Sequence, residues 1–218
     1  MSDAAHELRT PLTVLMGETE VVLRHERSAD EYRRVLEVVH AESRELAALV
    51  EALLTLARAD AGTLVVATEP LDLLALAQGA LRRAQRVLEV QSRSLRLELT
   101  GRPTLVRGDA LLLVRVLDNL LSNALRHGRH AVRVEVSVEE ARSARVCVVD
   151  DGPGVPPAFE PQLFERFARA DGARSGEGVG LGLALSRAIA EVHGGTLGYS
   201  RTSAGESQFC LRLPVLQE

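Results

Sequence analysis

The stretch His6-Glu7-Leu8-Arg9-Thr10-Pro11-Leu12 combines one imidazole, an adjacent carboxylate and a built-in helix breaker. Around it, Ala5, Leu8, Leu12, Leu15, Thr19 and Val22 recur at steps of three and four, the spacing of a coiled-coil seam. This segment therefore reads as an amphipathic helix, with His6 beside the seam, facing outward or at its rim. A neutral ring nitrogen can attack a phosphoryl group, while Glu7 can hydrogen-bond the other nitrogen, fix the tautomer and stabilise developing charge. Pro11 removes one helical hydrogen bond and crowds the carbonyl of Glu7, which predicts a local kink beside the ring.

Working outward, Ser28 followed by Glu31 is a capping box and starts a second helix after a short polar turn. Its apolar stripe runs through Tyr32, Val35, Val39, Leu46, Leu49, Leu53 and Leu56, and Gly62 is its stop. A single antiparallel hairpin of this size cannot bury both stripes, so the expected form is a dimer whose two hairpins make a four-helix bundle. A plain coiled-coil spacer would explain the heptads but not the residues around His6. Residues 62–70 mix Gly62, a short apolar run and Pro70, and read as a linker between a hairpin over 1–61 and a second domain over 71–218.

Composition bounds the rest. In 218 residues, 46% hydrophobic and 26% charged, there is material for one ordinary globular domain plus a smaller element. Aromatics make up 3% and Trp is absent, so the core must be aliphatic. A net charge of -4 gives no electrostatic case for nucleic acid. Cys147 and Cys210 lie in apolar, strand-like runs without metal-ligand spacing, which fits free thiols in a reducing cytosol, with a disulfide between them the less favoured alternative. No apolar run is long enough to cross a bilayer. The chain as it stands is expected to be cytoplasmic.

The second domain alternates helix and strand patterns. Asp72 caps a helix to about Glu89, strands follow near 94–99 and 104–106, and Asp109 caps a long leucine-rich helix ending at Gly128. On that helix Asn119 and Asn123 stand one turn apart, and Arg126 and His127 continue the stripe. Amide oxygens at this spacing can both face a hydrated Mg²⁺, which prefers oxygen ligands and keeps waters and substrate phosphates in its shell. A strand over 132–138 is followed by one ending in Asp150, which shares a face with Val146 and Val148. A buried carboxylate there needs a donor. The amino group of adenine supplies one, whereas guanine would present an oxygen, and Gly152 and Gly154 would let the backbone approach the base.

Phe164 and Phe167 are expected to pack on the core from a short helix, with Arg169 aimed at a terminal phosphate. Residues 172–180 are rich in Gly and small polar side chains, as in a mobile lid. Gly178, Gly180 and Gly182 then enter a helix over 183–193, whose N-terminal amides suit a triphosphate. Strands near 196–201 and 207–213 close the chain.

The order of these motifs, His6–Pro11, Asn119–Ala124, Asp150–Gly154, Phe164–Arg169 and Gly178–Leu183, resembles the H, N, G1, F and G2 boxes of sensor histidine kinases in the GHKL ATPase superfamily. The likeness covers nearly the whole chain. It implies an α+β molecule: a dimeric helical hairpin carrying His6, then a Bergerat-type α/β sandwich with ATP between helices and sheet. It further implies phosphorylation of His6, assistance from Glu7, and a water-positioning role for Thr10 when a phosphorylated partner is dephosphorylated. Asn119 and Asn123 would contact Mg²⁺, Asp150 adenine, and Arg126, His127 and Arg169 the nucleotide. The implied partner is an aspartate on a response-regulator receiver domain. Since such kinases usually carry sensory and often membrane segments before the histidine, the resemblance also implies such segments and an inner-membrane anchor upstream of His6, outside this sequence. Ala5 in place of a common Ser, the shortened helix before His6 and the acid at Glu177 depart from the pattern. Two rival readings stand beside it: a nucleotide-sensing scaffold without turnover, and an ATP-hydrolysing relative. Asn119 argues against the second, because those relatives carry a basic Glu there and an amide cannot deprotonate water.

Overall fold

The structure is a computed structural model that describes residues 2–139, 143–169 and 179–216. Helix α1 (Ser2–Leu23) runs through Pro11, which has no N–H to offer the Glu7 carbonyl. Helix α2 (Ala29–Asp60) starts at the predicted capping box: Ser28 N–H donates to Glu31 Oε2 at 2.9 Å, and Glu31 N–H donates to Ser28 Oγ at 3.3 Å. Its last turn closes with Gly62 N–H on the Ala59 carbonyl at 3.0 Å and Thr63 N–H on the Arg58 carbonyl at 2.9 Å.

The two helices pack against each other, but not along the whole predicted seam. On α1 the half-buried stripe is Leu8, Pro11, Leu15, Glu18 and Val22, whereas Ala5, Leu12 and Thr19 are exposed. One neighbouring helix can cover only one stripe, so the second half of the apolar surface is left on the outside. On α2 the expected stripe holds from Val35 to Leu56, with Leu49 and Leu56 fully covered, while Tyr32 is exposed.

Strand β1 (Glu69–Asp72) begins inside the stretch read as linker, because Glu69 and Pro70 already pair with a later strand. Asp72 then caps α3 (Leu73–Val90), accepting from Leu74 N–H at 2.9 Å. Strand β2 (Arg96–Gly101) and β3 (Leu105–Gly108) follow, and β3 is the antiparallel partner of β1. Helix α4 (Ala110–His127) is capped by Asp109, whose Oδ1 accepts from Leu111 and Leu112 N–H at 3.0 and 3.1 Å. After it come β4 (Ala131–Glu139), β5 (Ser143–Asp150), a 3-10 turn at Glu160–Gln162, α5 (Gly182–Val192), β6 (Thr196–Arg201) and β7 (Ser207–Pro214).

The main sheet has the order β2-β4-β5-β7-β6, with β2 parallel to β4 and every other pair antiparallel. Val132, Val134, Val146, Val148, Leu211 and Leu213 face Leu113, Leu117, Leu120, Leu185 and Ile189 of the helical layer. Each such fully buried leucine contributes on the order of 2 kcal/mol of apolar transfer. The same apolar cluster takes in Leu49, Ala52 and Leu56 of α2, so α5 docks on the stalk. Arg166 Nη2 reaches both carboxylate oxygens of Asp60 at 2.6 Å beside that contact.

Two expectations are corrected. Cys147 and Cys210 are not free thiols: they stand in direct register on β5 and β7 and form a disulfide, with Cα atoms 4.1 Å apart. Strand register is a tertiary property, so two apolar runs 63 residues apart gave no sign of it. Phe164 and Phe167 do pack against the core, but from turns and not from a helix. Phe167 has φ +62°, which interrupts any helical course there.

Candidate ATP site

One cavity of about 370 Å³ lies between α4, the end of β5 and the turn leading into α5. That is the size class of small-molecule and cofactor pockets. Helix α4 supplies Asn119, Ser122, Asn123, Arg126 and His127, a run at steps of one, three and four that forms one face. Its opposite face, Leu113, Leu117, Leu120 and Leu121, is buried, and this fixes the rotation of the helix and points the polar face at the cavity.

Asp150 lies at the end of β5 and borders the cavity although it is only 4% exposed. Burial pushes its carboxyl above the ordinary value of 3.8; the Gly152 N–H, the nearby His127 ring and the Ser207 hydroxyl partly offset this. Gly152 N–H donates to Asp150 Oδ1 at 2.9 Å. An adenine amino group would add a further donor to this carboxylate.

Asn119 and Asn123 both border the cavity. Asn119 Nδ2 donates to the Gly182 carbonyl and to Ser186 Oγ, each at 3.2 Å. With the nitrogen committed, Oδ1 is the atom that remains to ligate a cation. Among the described residues no group of three or more His, Cys, Asp or Glu is placed to hold a metal ion by itself. Neutral amide oxygens would suit Mg²⁺ arriving with a nucleotide, since the phosphates would then carry the charge.

The cavity is completed by Gly154–Pro156, Phe159, Leu163, Ala168, Arg169, Val179, Gly180, Gly182, Leu183, Ser207 and Phe209. At Gly180 a Cβ would meet the Ala168 carbonyl oxygen at 2.9 Å, and φ is +73°. Only glycine fits there, and its carbonyl accepts from Phe167 N–H at 3.0 Å. The segments on either side of residues 170–178 are thus joined at the cavity wall. Gly178, Glu177 and the stretch expected as a lid through residue 178 lie outside the described residues.

Of the predicted binding residues, Asn119, Asn123, Arg126, His127, Asp150, Gly154, Arg169, Gly180 and Gly182 come together in this one place. Gly152 does not border it. A Cβ at Gly152 would meet the His127 carbonyl oxygen at 2.5 Å, so its bareness serves the approach of β5 to the end of α4. His6 is exposed on α1 and is not among the residues bordering the cavity. Glu7 is half-buried, and Thr10 Oγ1 lies 3.4 Å from the His6 carbonyl, a long contact.

Sequence patterns alone did not single out Ser186, Asp151 or Arg201. Burial alone would push the Asp151 carboxyl up, but N–H groups of His130, Arg129 and Ala131 and the His130 ring hold it well below the usual range. The shortest of these bonds is Arg129 N–H to Oδ1 at 2.7 Å. Asp151 therefore ties the chain after α4 to the end of β5. Arg201 Nη2 donates to the carbonyls of Pro153 at 3.0 Å and Val155 at 3.3 Å, holding the loop that walls the cavity at Gly154–Pro156.

The comparisons with known proteins agree with this construction. Residues 1–62 match the His Kinase A (phospho-acceptor) domain, and residues 108–217 match the histidine kinase-, DNA gyrase B-, and HSP90-like ATPase family. The chain is 38% identical to the sensor protein IrlS of Burkholderia pseudomallei over 217 residues, covering 98% of this chain and 46% of that protein. It is 36% identical to the probable sensor histidine kinase TcrY of Mycobacterium tuberculosis, covering 99% and 45%. The chain thus spans about half the length of these curated relatives. The solved Acinetobacter baumannii histidine kinase AdeS superposes with a TM-score of 0.74 at 27% identity, covering 97% of this chain and 98% of that one. The mycobacterial sensor histidine kinase MprB gives 0.62 at 30% identity, covering 69% and 100%. A phospho-acceptor hairpin joined to an ATPase-type domain, matched at both ends, places the chain in the family of two-component sensor histidine kinases.

Proposed function

We propose that this chain is a histidine kinase core that binds ATP with Mg²⁺ in the 370 Å³ cavity and transfers the γ-phosphoryl group to His6. The observation that carries the reading is the convergence of Asn119, Asn123 and the buried Asp150 on one cavity, beside a stalk that presents an exposed imidazole. Asp150 accepts from the adenine amino group, and the amides at 119 and 123 orient the phosphate end. When bound, Mg²⁺ would neutralise charge on the β- and γ-phosphates. The His6 ring nitrogen attacks the γ-phosphorus, the bond to the bridging oxygen breaks, and ADP leaves. Glu7 accepts a hydrogen bond from the second ring nitrogen and steadies the positive charge that forms there.

Because His6 does not border the cavity, transfer requires the ATP domain to leave its docked position on α2. The Asp60–Arg166 ion pair and the Leu49, Ala52 and Leu56 contact must open, with residues 62–68 as the joint. The uncovered side chains of Leu12, Met16 and Leu36, 48, 55 and 66% exposed, support pairing of two hairpins into a four-helix bundle. No helix among the described residues is long and apolar enough to cross a membrane. We place this core in the cytoplasm, where ATP is, with any membrane anchor in segments outside this chain.

From His6 the phosphoryl group passes to an aspartate of a receiver domain, and Thr10 positions water when that aspartyl phosphate is hydrolysed. The test is a chase. The chain is labelled with γ-labelled ATP and Mg²⁺, freed of nucleotide, and mixed with the receiver domain of its regulator. Label should leave the kinase chain and appear on the receiver. Release of all label as free phosphate, with none ever held on protein, would overturn the reading in favour of an ATPase.

A further inference from the structure

We propose that Ser186 is a positioning residue for the magnesium-nucleotide site, acting through the carboxamide of Asn119; this rests on the ATP reading above. Ser186 is 0% exposed, on the face of α5 turned toward α4. Burying a hydroxyl is costly unless it is hydrogen-bonded, and here it accepts from Asn119 Nδ2 at 3.2 Å. The same nitrogen donates to the Gly182 carbonyl, also at 3.2 Å.

A carbonyl oxygen can only accept, so the amide has one favourable orientation. Turned by half a rotation, Asn119 would set oxygen against the Gly182 oxygen, a clash that the Ser186 hydroxyl, able to donate as well as accept, would not relieve. The Gly182 carbonyl therefore sets which end is nitrogen, Ser186 gives that nitrogen its second partner and fixes the amide plane, and Oδ1 is left for the cation. The helix itself does not call for serine. Its small positions at 184, 188 and 190 are alanine, the better helix former, so the hydroxyl at 186 comes at a small cost in propensity. Its partner Asn119 borders the cavity from the other helix.

Ser186→Ala keeps the helix and removes the acceptor. In the 218-residue chain, ATP affinity is measured by calorimetry in Mg²⁺ and again in EDTA. The side-chain amide signals of Asn119 are followed by ¹H–¹⁵N NMR, identified by their loss in Asn119→Asp. With Mg²⁺ the variant should bind ATP about fivefold more weakly, the worth of one neutral hydrogen bond, and without Mg²⁺ the change should stay under about twofold. The Asn119 amide pair should move in the nucleotide-free protein. Unchanged affinity in Mg²⁺, or an equal loss with and without Mg²⁺ at an unmoved amide signal, would overturn the proposal. Failure of the unsubstituted chain to bind ATP at all would overturn both this proposal and the ATP reading, and only that outcome touches the parent chain.

Discussion

At the scale of single residues, the proposed recognition of adenine by Asp150 sets a pH dependence. Burial raises its carboxyl above the ordinary value, so between that value and the raised one the folded empty domain holds a proton that the unfolded chain does not. The protonated carboxyl's contribution to stability is present below that window and is lost as pH rises through it. Adenine reverses the preference, because its amino group favours the carboxylate. ATP affinity should therefore climb with pH across the window and level off above it. Asp150→Asn should lower affinity by roughly 10- to 100-fold, as expected for losing a hydrogen bond to a charged group, and should flatten the pH profile. Titration calorimetry from pH 4 upward checks both; a profile unchanged by the substitution would remove Asp150 from adenine binding. Asp150, Asn119 and Asn123 were legible in the sequence because each breaks an apolar pattern that the fold otherwise demands. Ser186 and Asp151 were not: a buried serine among alanines breaks no pattern, and its partner is 67 residues away. Asp151 becomes intelligible only when its carboxylate meets the N–H groups after α4.

At the scale of elements, caps and periodicity located the helices, since a cap is a local bond between neighbours in sequence. Ser28 with Glu31, Asp72 and Asp109 all cap where their spacing predicted. Strand β1 was not foreseen within the linker, because its partner β3 joins it from 39 residues further on at the Glu69–Gly108 step and 33 at Asp72–Leu105. Register likewise hid the disulfide. It joins β5 to β7 three residues from Asp150 and from Ser207, which face each other at the cavity end of the same strand pair. Closing a loop over that sequence separation restricts the unfolded chain, so reduction should lower the unfolding free energy by roughly 4 kcal/mol in the chain-entropy account. Thiol titration in denaturant should find no reactive cysteine before reduction and two after it. Two reactive thiols without reductant would show the strands unlinked and restore the reading of free cysteines.

At the scale of the whole molecule, the stalk and the ATPase-type domain share one apolar cluster, yet His6 stands outside the cavity. The helical hairpin and the sandwich were each readable from pattern and motif order. Their docking was not, because Leu49, Ala52 and Leu56 look in sequence like the rest of a heptad stripe, and Asp60 and Arg166 like any surface charges. In the proposed reading the docked arrangement would hold ATP and His6 apart, and an amide at Asn119 would give no base for water, so the nucleotide should persist until the domain swings to His6. The most direct test of that claim is incubation of the chain and of His6→Gln with γ-labelled ATP and Mg²⁺, with ATP affinity measured in parallel. The account predicts an acid-labile label on the parent chain and none on His6→Gln, with ATP binding the same in both. Label persisting on His6→Gln would contradict it.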